Sequence, residues 1–123
     1  MSKRVLSVGQ CGMDHGAIAR LLTAHFDVEI EQAALAHEAL EKLREGGFDL
    51  VLVNRKLDAD YSDGVEIIRA LKADEELKET PAMLVSNFSD AQQGAVAVGA
   101  APGFGKAELD SPDVIERLSR FLG

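Results

Sequence analysis

Leu50-Val51-Leu52-Val53 limits what this chain can become more than any other segment. Four consecutive apolar, β-prone residues have no polar face to turn to water. Successive side chains of a strand point to opposite sides, so such a run must be covered on both. The centre of a parallel sheet, with helices on each face, meets that condition. The neighbouring segments are consistent with it. Arg4 to Val8 reads as a short strand, and Asp27 to Glu31 alternates with a period of two, as an edge strand does. Pro81 to Ser86 opens with proline at a strand start, where the missing N–H is tolerated. A short fifth strand is predicted near Gly103 to Gly105.

Helical spacing fills the gaps. Ile18, Leu21 and Leu22 recur every three to four residues up to about His25. Leu35, Ala39, Leu40 and Leu43 do the same before Gly46-Gly47, glycine being the usual residue just past a helix C-cap. Val65, Ile67, Ile68 and Leu71 mark a third helix, and Ala91 to Val98 a fourth, weakened by Gly94. Ser111-Pro112-Asp113 opens a fifth, with serine as N-cap, proline in the first turn and an acid at the positive end of the dipole. Its buried stripe is Val114, Ile115, Leu118, Phe121 and Leu122. Five strand–helix units in strict alternation predict a three-layer α/β sandwich, a parallel five-stranded sheet with right-handed helical crossovers. The expected strand order is 2-1-3-4-5, the flavodoxin-like (βα)5 arrangement, in one domain spanning residues 1–123. Chemistry in such a sheet sits at the carboxyl ends of the strands, near the reversal between strands 1 and 3. The residues there are Gly9-Gln10, Asn54, Ser86 and Lys106.

Composition narrows the function classes. At 123 residues and 46% hydrophobic, the chain can build one packed core. No apolar run is long enough to span a bilayer, and Met1-Ser2-Lys3-Arg4 leads into too short an apolar stretch for a signal peptide, so a cytoplasmic protein is expected. Cys11 is the only cysteine, which excludes an intramolecular disulfide and a cysteine-based zinc site. Thirteen basic against 21 acidic residues give a net charge of −8. That charge argues against direct nucleic-acid or anionic-lipid partners, and otherwise keeps the protein soluble.

The tract Phe48-Asp49-Leu50-Val51-Leu52-Val53-Asn54, followed by Asp63-Gly64-Val65-Glu66-Ile67-Ile68, resembles the receiver domains of bacterial response regulators. In that family a strand ends in aspartate, a short loop follows, and Asp-Gly opens a helix. Pro81 to Ser86 resembles the family's fourth strand with its terminal hydroxyl, and Gly99-Ala100 with Lys106 resembles the surroundings of its fifth. The ordered set, at nearly the right spacing, carries the resemblance over the whole chain. It implies a third-strand aspartate that accepts a phosphoryl group in line, and two acids after the first strand that hold Mg²⁺. It also implies a hydroxyl and a lysine that contact the phosphoryl oxygens.

This sequence supplies only part of that set. Ser86 and Lys106 match, but the nucleophile position is Asn54 and the acid pair falls on Gly9 and Gln10. An amide has no anionic oxygen to attack phosphorus, and without a charged first-shell ligand Mg²⁺ has no site. Other departures are Ala107 where the family has proline, and two segments read as longer loops, Gln10 to Gly16 and Asn54 to Gly64. The family's aromatic switch residue aligns with Gly103, or with Phe104 if a gap is placed differently.

Each feature also has a plain structural reading. Lys106 is expected to pair with a carboxylate, with Asn54 or with the Ser86 hydroxyl, or to be solvated, as an alternative to a relic phosphate contact. Ser86 is expected to bond backbone as readily as anything else. Asp58 and Asp60 fall in a loop expected to be mobile, and Asp63 reads as an N-cap. Cys11, Asp14 and His15 sit too close together on one short loop to present three ligands to one ion. Ala91 to Gly105 carries no charged residue, and a partner surface including Gln92, Gln93, Ala97 and Phe104 is expected there.

The expectation is a degenerate receiver of a two-component or phosphorelay pathway. It would not be phosphorylated, would bind no cofactor and would not act as an enzyme. Its partners would be proteins: a histidine kinase, another receiver, an output protein, or a second copy of itself. Two alternatives are a small-ligand binder using the pocket at Gly9, Asn54, Ser86 and Lys106, and a receiver phosphorylated at a non-standard residue.

Overall fold

A computed structural model describes residues 2–123. The strands are β1 (Lys3–Val8), β2 (Val28–Ala33), β3 (Leu50–Asn54), β4 (Ala82–Val85) and β5 (Ala101–Phe104). They form one sheet in the order β2-β1-β3-β4-β5, and every neighbouring pair is parallel. The helices are α1 (Gly12–His25), α2 (Ala36–Glu45), α3 (Gly64–Ala73), α4 (Ser89–Ala97) and α5 (Pro112–Leu122). A 3₁₀ turn, Lys106–Glu108, precedes α5. The chain is therefore the flavodoxin-like sandwich that its alternating segments imply, with β2 at an edge and β3 at the centre. No helix among the described residues is long and apolar enough to cross a membrane.

The pleat divides each strand between two cores. Val5, Leu50, Leu52, Met83, Val85 and Phe104 pack with Ile18 and Leu22 of α1 and with Val114, Leu118 and Leu122 of α5. Leu6, Val8, Val51, Val53, Ala82 and Leu84 face the other way, against Ala39 and Leu43 of α2, Ile67, Ile68 and Leu71 of α3, and Ala95 of α4. All four residues of the Leu50–Val53 run are fully buried.

Two segments differ from the sequence reading. The stretch from Gly12 to Gly16 is the start of α1, closed by a His15 N–H to Cys11 carbonyl bond of 2.8 Å. Two glycines argue locally against helix, but the contacts of Asp14 with Lys106 of the 3₁₀ turn and of His15 with Ser7 of β1 override that preference. The segment after β3 is a folded turn rather than a mobile loop. Lys56 and Asp63 pair as an antiparallel bridge, the Leu57 N–H donates to the Ser62 carbonyl at 2.9 Å, and Tyr61 adopts a left-handed φ of 59°. The Asp60 carboxylate accepts from the Ser62 N–H at 2.9 Å and from its hydroxyl at 2.6 Å. Leu57 anchors this turn and is completely buried.

Gly64 shows why a glycine opens α3. A Cβ there would lie 2.0 Å from the Asn54 carbonyl oxygen and 2.8 Å from a Val53 methyl. The substitution Gly64→Ala is expected to destabilise the protein by ~1–3 kcal/mol, the usual cost of overpacking. Urea unfolding of the two proteins measures this, and equal midpoints would contradict it.

Candidate functional site

Four elements converge at the carboxyl edge of the sheet, and each carries one of the residues singled out from the sequence. Gly9 follows β1 with φ +74°, a conformation that favours glycine. Its carbonyl accepts the Asp58 N–H at 2.9 Å. A Cβ at this position would fall 2.2 Å from Leu57 Cδ2 and 3.0 Å from Leu57 Cα. The place of an acid side chain after β1 is thus filled by a buried leucine from the β3–α3 turn. No sequence pattern marked Leu57, because its burial comes from a fold-back over a different strand. Gln10 follows, and both polar atoms of its side chain are shielded from solvent without a hydrogen-bond partner among the described residues.

Asn54 ends β3 and is half-buried. Its Nδ2 donates to the Lys56 carbonyl at 2.6 Å and to the Gly9 carbonyl at 3.4 Å. The amide therefore ties the turn to β1, through a donor that a carboxylate lacks. Ser86, just after β4, is buried, and its hydroxyl accepts the Phe88 N–H at 3.1 Å. Of the two roles open to it, the hydroxyl takes the backbone one here.

Lys106 finds a carboxylate, but from an unexpected direction. Its Nζ lies 2.6 Å from Asp14 Oδ2, across 92 residues of sequence. Neither Asn54 nor Ser86 accepts from it. The Lys106 hydrogen bond holds the Asp14 carboxyl below its ordinary value of 3.8, against partial burial, and the Cys11 thiol adds in the same direction. His15, on the same turn of helix, places Nδ1 3.3 Å from the otherwise isolated Ser7 hydroxyl. Asp63 occupies the N-cap position of α3 without capping it through its side chain. It pairs with Lys56 at 2.5 Å instead.

The donor set does not fit the divalent cation that the resemblance implies. Mg²⁺ takes hard, charged oxygen ligands. Gly9, Gln10 and Asn54 offer no carboxylate, Leu57 fills the space after β1, and Asp14 is engaged by Lys106. Among the described residues no three His, Cys, Asp or Glu side chains are grouped to hold a metal. What remains is a polar pocket of about 190 Å³ lined by Asn54, Arg55, Lys56, Ser86, Asn87 and Lys106, with Val85 and Phe88. Three cations and no acid line it. Arg55 also stacks on the Phe88 ring, 5.0 Å from its centroid.

Beside this pocket lies a larger, mainly apolar groove of about 710 Å³ between α4, β5 and α5. Phe88, Val96, Ala97 and Pro102 form its walls, and Gln93 lies on its rim side. Phe88 is 59% and Val96 44% exposed. Of the expected partner surface, Gln93 and Ala97 are exposed. Phe104 is not part of it. It is fully buried on the opposite face of the sheet, because adjacent strand residues point to opposite sides, and Gly103 faces the groove. Gln92 lines the groove, yet its carboxamide turns inward to the sheet.

Two substitutions probe this geometry. The folded pKa of Asp14 is lowered, so its pair with Lys106 stabilises the fold above about pH 4 and fades as the pH falls through the lowered value. Both side chains are about a third exposed, so screening limits the effect to under ~1 kcal/mol. Asp14→Asn should be less stable than the parent near pH 7 by urea unfolding, with the difference shrinking as the pH falls below the ordinary carboxylate value. A difference that persists in acid would assign it to packing instead. Gln10→Met removes two shielded, unpartnered polar atoms while keeping volume, and should raise stability by ~1 kcal/mol. A lower melting temperature would show that the amide has a partner worth keeping.

No protein-family model matches the sequence, and no curated protein matches it. Solved structures do match. The chemotaxis response regulator CheY4 of Vibrio cholerae is 23% identical, with 99% of this chain and 100% of that one covered and a TM-score of 0.76. The signal receiver domain of a DNA-binding response regulator from Colwellia psychrerythraea is 20% identical, with 97% of each chain covered and a TM-score of 0.79. A response regulator from Thermotoga maritima is 22% identical, with 98% of each covered and a TM-score of 0.77. The order β2-β1-β3-β4-β5, the Asp-Gly opening of α3 and these full-length superpositions agree: the chain has the fold of a response-regulator receiver domain.

Proposed function

We propose that this protein is a degenerate receiver that works in a two-component or phosphorelay pathway of the cytoplasm by binding other proteins, without accepting phosphate and without catalysing a reaction. The observation that carries this reading is the end of β3. The phosphoacceptor position holds an amide whose nitrogen is bonded to the Lys56 carbonyl, and the neighbouring acid position is packed under Leu57. Nucleophile and metal site are both replaced by structural contacts, and the lysine that would meet a phosphoryl group is paired with Asp14. The groove between α4, β5 and α5, with its exposed Phe88 and Val96, is the docking face. A histidine kinase, another receiver, an output protein or a second copy of this chain would engage it.

A second reading has its own support. The pocket at Asn54, Arg55, Lys56, Ser86 and Lys106 has three cations and no acid in its lining; Lys56 and Lys106 pair with Asp63 and Asp14 outside it, and Arg55 makes no ion pair among the described residues. Such a site attracts a small anion without forming a bond to it. Asp58 and Asp60 are exposed on the folded turn, so a non-standard phosphosite among them is a further outcome to test.

Incubation with acetyl phosphate and Mg²⁺, followed by intact mass spectrometry, separates these readings. The expected result is no phosphoryl adduct on the parent protein or on Asn54→Asp, since that substitution leaves Leu57 over Gly9 and restores no metal ligand after β1. An adduct lost on mutating one turn aspartate would replace the proposal with phosphorylation at that residue. A raised melting temperature in millimolar phosphate, without an adduct, would favour the anion site.

A further inference from the structure

The joint between β4 and β5 is irregular. Met83 pairs with Ala101 and Val85 with Phe104, so one residue of β4, Leu84, lies opposite two of β5. The two are Pro102, which has no N–H, and Gly103. At this point a side chain takes over from the backbone. The Gln92 carboxamide accepts the Gly103 N–H at 3.1 Å, and its Nε2 donates to the Leu84 carbonyl at 2.8 Å and the Ser86 carbonyl at 3.1 Å. The oxygen accepts and the amino group donates twice, so the carboxamide supplies the C=O and N–H of a peptide group and one donor more. Gly103 makes room for this. A Cβ there would lie 2.1 Å from the Leu84 carbonyl oxygen and 3.0 Å from Gln92 Oε1.

We infer that Gln92 is the positioning residue of the groove: its carboxamide substitutes for ladder rungs between β4 and β5 and fixes α4 on the sheet in one arrangement, with no signal from the Asn54 pocket. The bond to the Ser86 carbonyl extends the brace to the wall that groove and pocket share, Ser86 to Phe88. A part-buried amide with these partners is costly to free, since the backbone groups it serves would lose them. The groove is therefore presented constitutively. That consequence rests on the proposed docking function, whereas the brace itself does not.

Amide exchange followed by two-dimensional NMR tests the brace on the free protein. In Gln92→Met, which keeps length and removes the amide, the Gly103 N–H should exchange roughly tenfold faster, with Leu52 and Val53 in β3 unchanged. In Gln92→Glu, the Gly103 resonance should move with pH through the carboxylate range, a signature that loose packing would not produce. Unchanged Gly103 exchange in Gln92→Met, or no titration in Gln92→Glu, would overturn the brace. Adding acetyl phosphate and Mg²⁺ to the parent protein should leave α4 and β5 resonances in place, and shifts there would overturn constitutive presentation. A phosphoryl adduct found alongside normal Gly103 behaviour would sink the phosphate-independent function while leaving the brace intact.

Discussion

The burial of β3 on both faces is the constraint from which the rest of the structure follows. Leu50 and Leu52 need the α1–α5 layer, and Val51 and Val53 need the α2–α3–α4 layer. With both layers in place, β3 sits between β1 and β4 and its carboxyl end opens where the strand order reverses. The chain leaving β3 at Asn54 must then turn within a crowded corner. It does so by packing Leu57 against Gly9, where the φ of +74° favours glycine and a Cβ would fall 2.2 Å from Leu57 Cδ2. The contact leaves no volume at that position for a side chain of any kind.

Ion pairs flank the carboxyl edge. Lys106 pairs with Asp14 of α1, and Lys56 with Asp63 at the other end of the turn after β3. The first pair joins two elements and the second closes one turn, beside the Asn54 amide. At the groove, Gln92 and Gly103 close the β4–β5 joint through a side-chain amide.

Much of this was legible in the sequence. The two periodicities, 2 and 3.6, separated strands from helices, and the fully apolar β3 run required a two-sided sheet, so the fold and strand order followed. The residues at the strand ends, Gly9, Gln10 and Asn54, could be named from the resemblance, whereas the role of Ser86 stayed open between a backbone bond and a site contact. What depends on residues distant in the chain could not be read. The partner of Lys106 lies 92 residues away, on a stretch whose glycines argued for loop rather than helix. Phe104 looked like a surface aromatic, but β5 pairs with β4 in a register that turns Gly103 to the groove and Phe104 to the core.

The sequence by itself therefore determined the architecture and the functional groups at each strand end, an amide at position 54 and no carboxylate at positions 9 and 10, because both rest on local rules: side-chain period, chain punctuation and residue identity. Tertiary structure decided what packs around those groups. Leu57 over Gly9, Asp14 against Lys106 and the Gln92 amide between β4 and β5 are contacts between elements brought together only by packing. Their physical reason is common to all three: buried volume, charge and hydrogen-bonding capacity left open at Asn54's corner and at the β4–β5 joint had to be satisfied by whichever side chains the fold placed within reach.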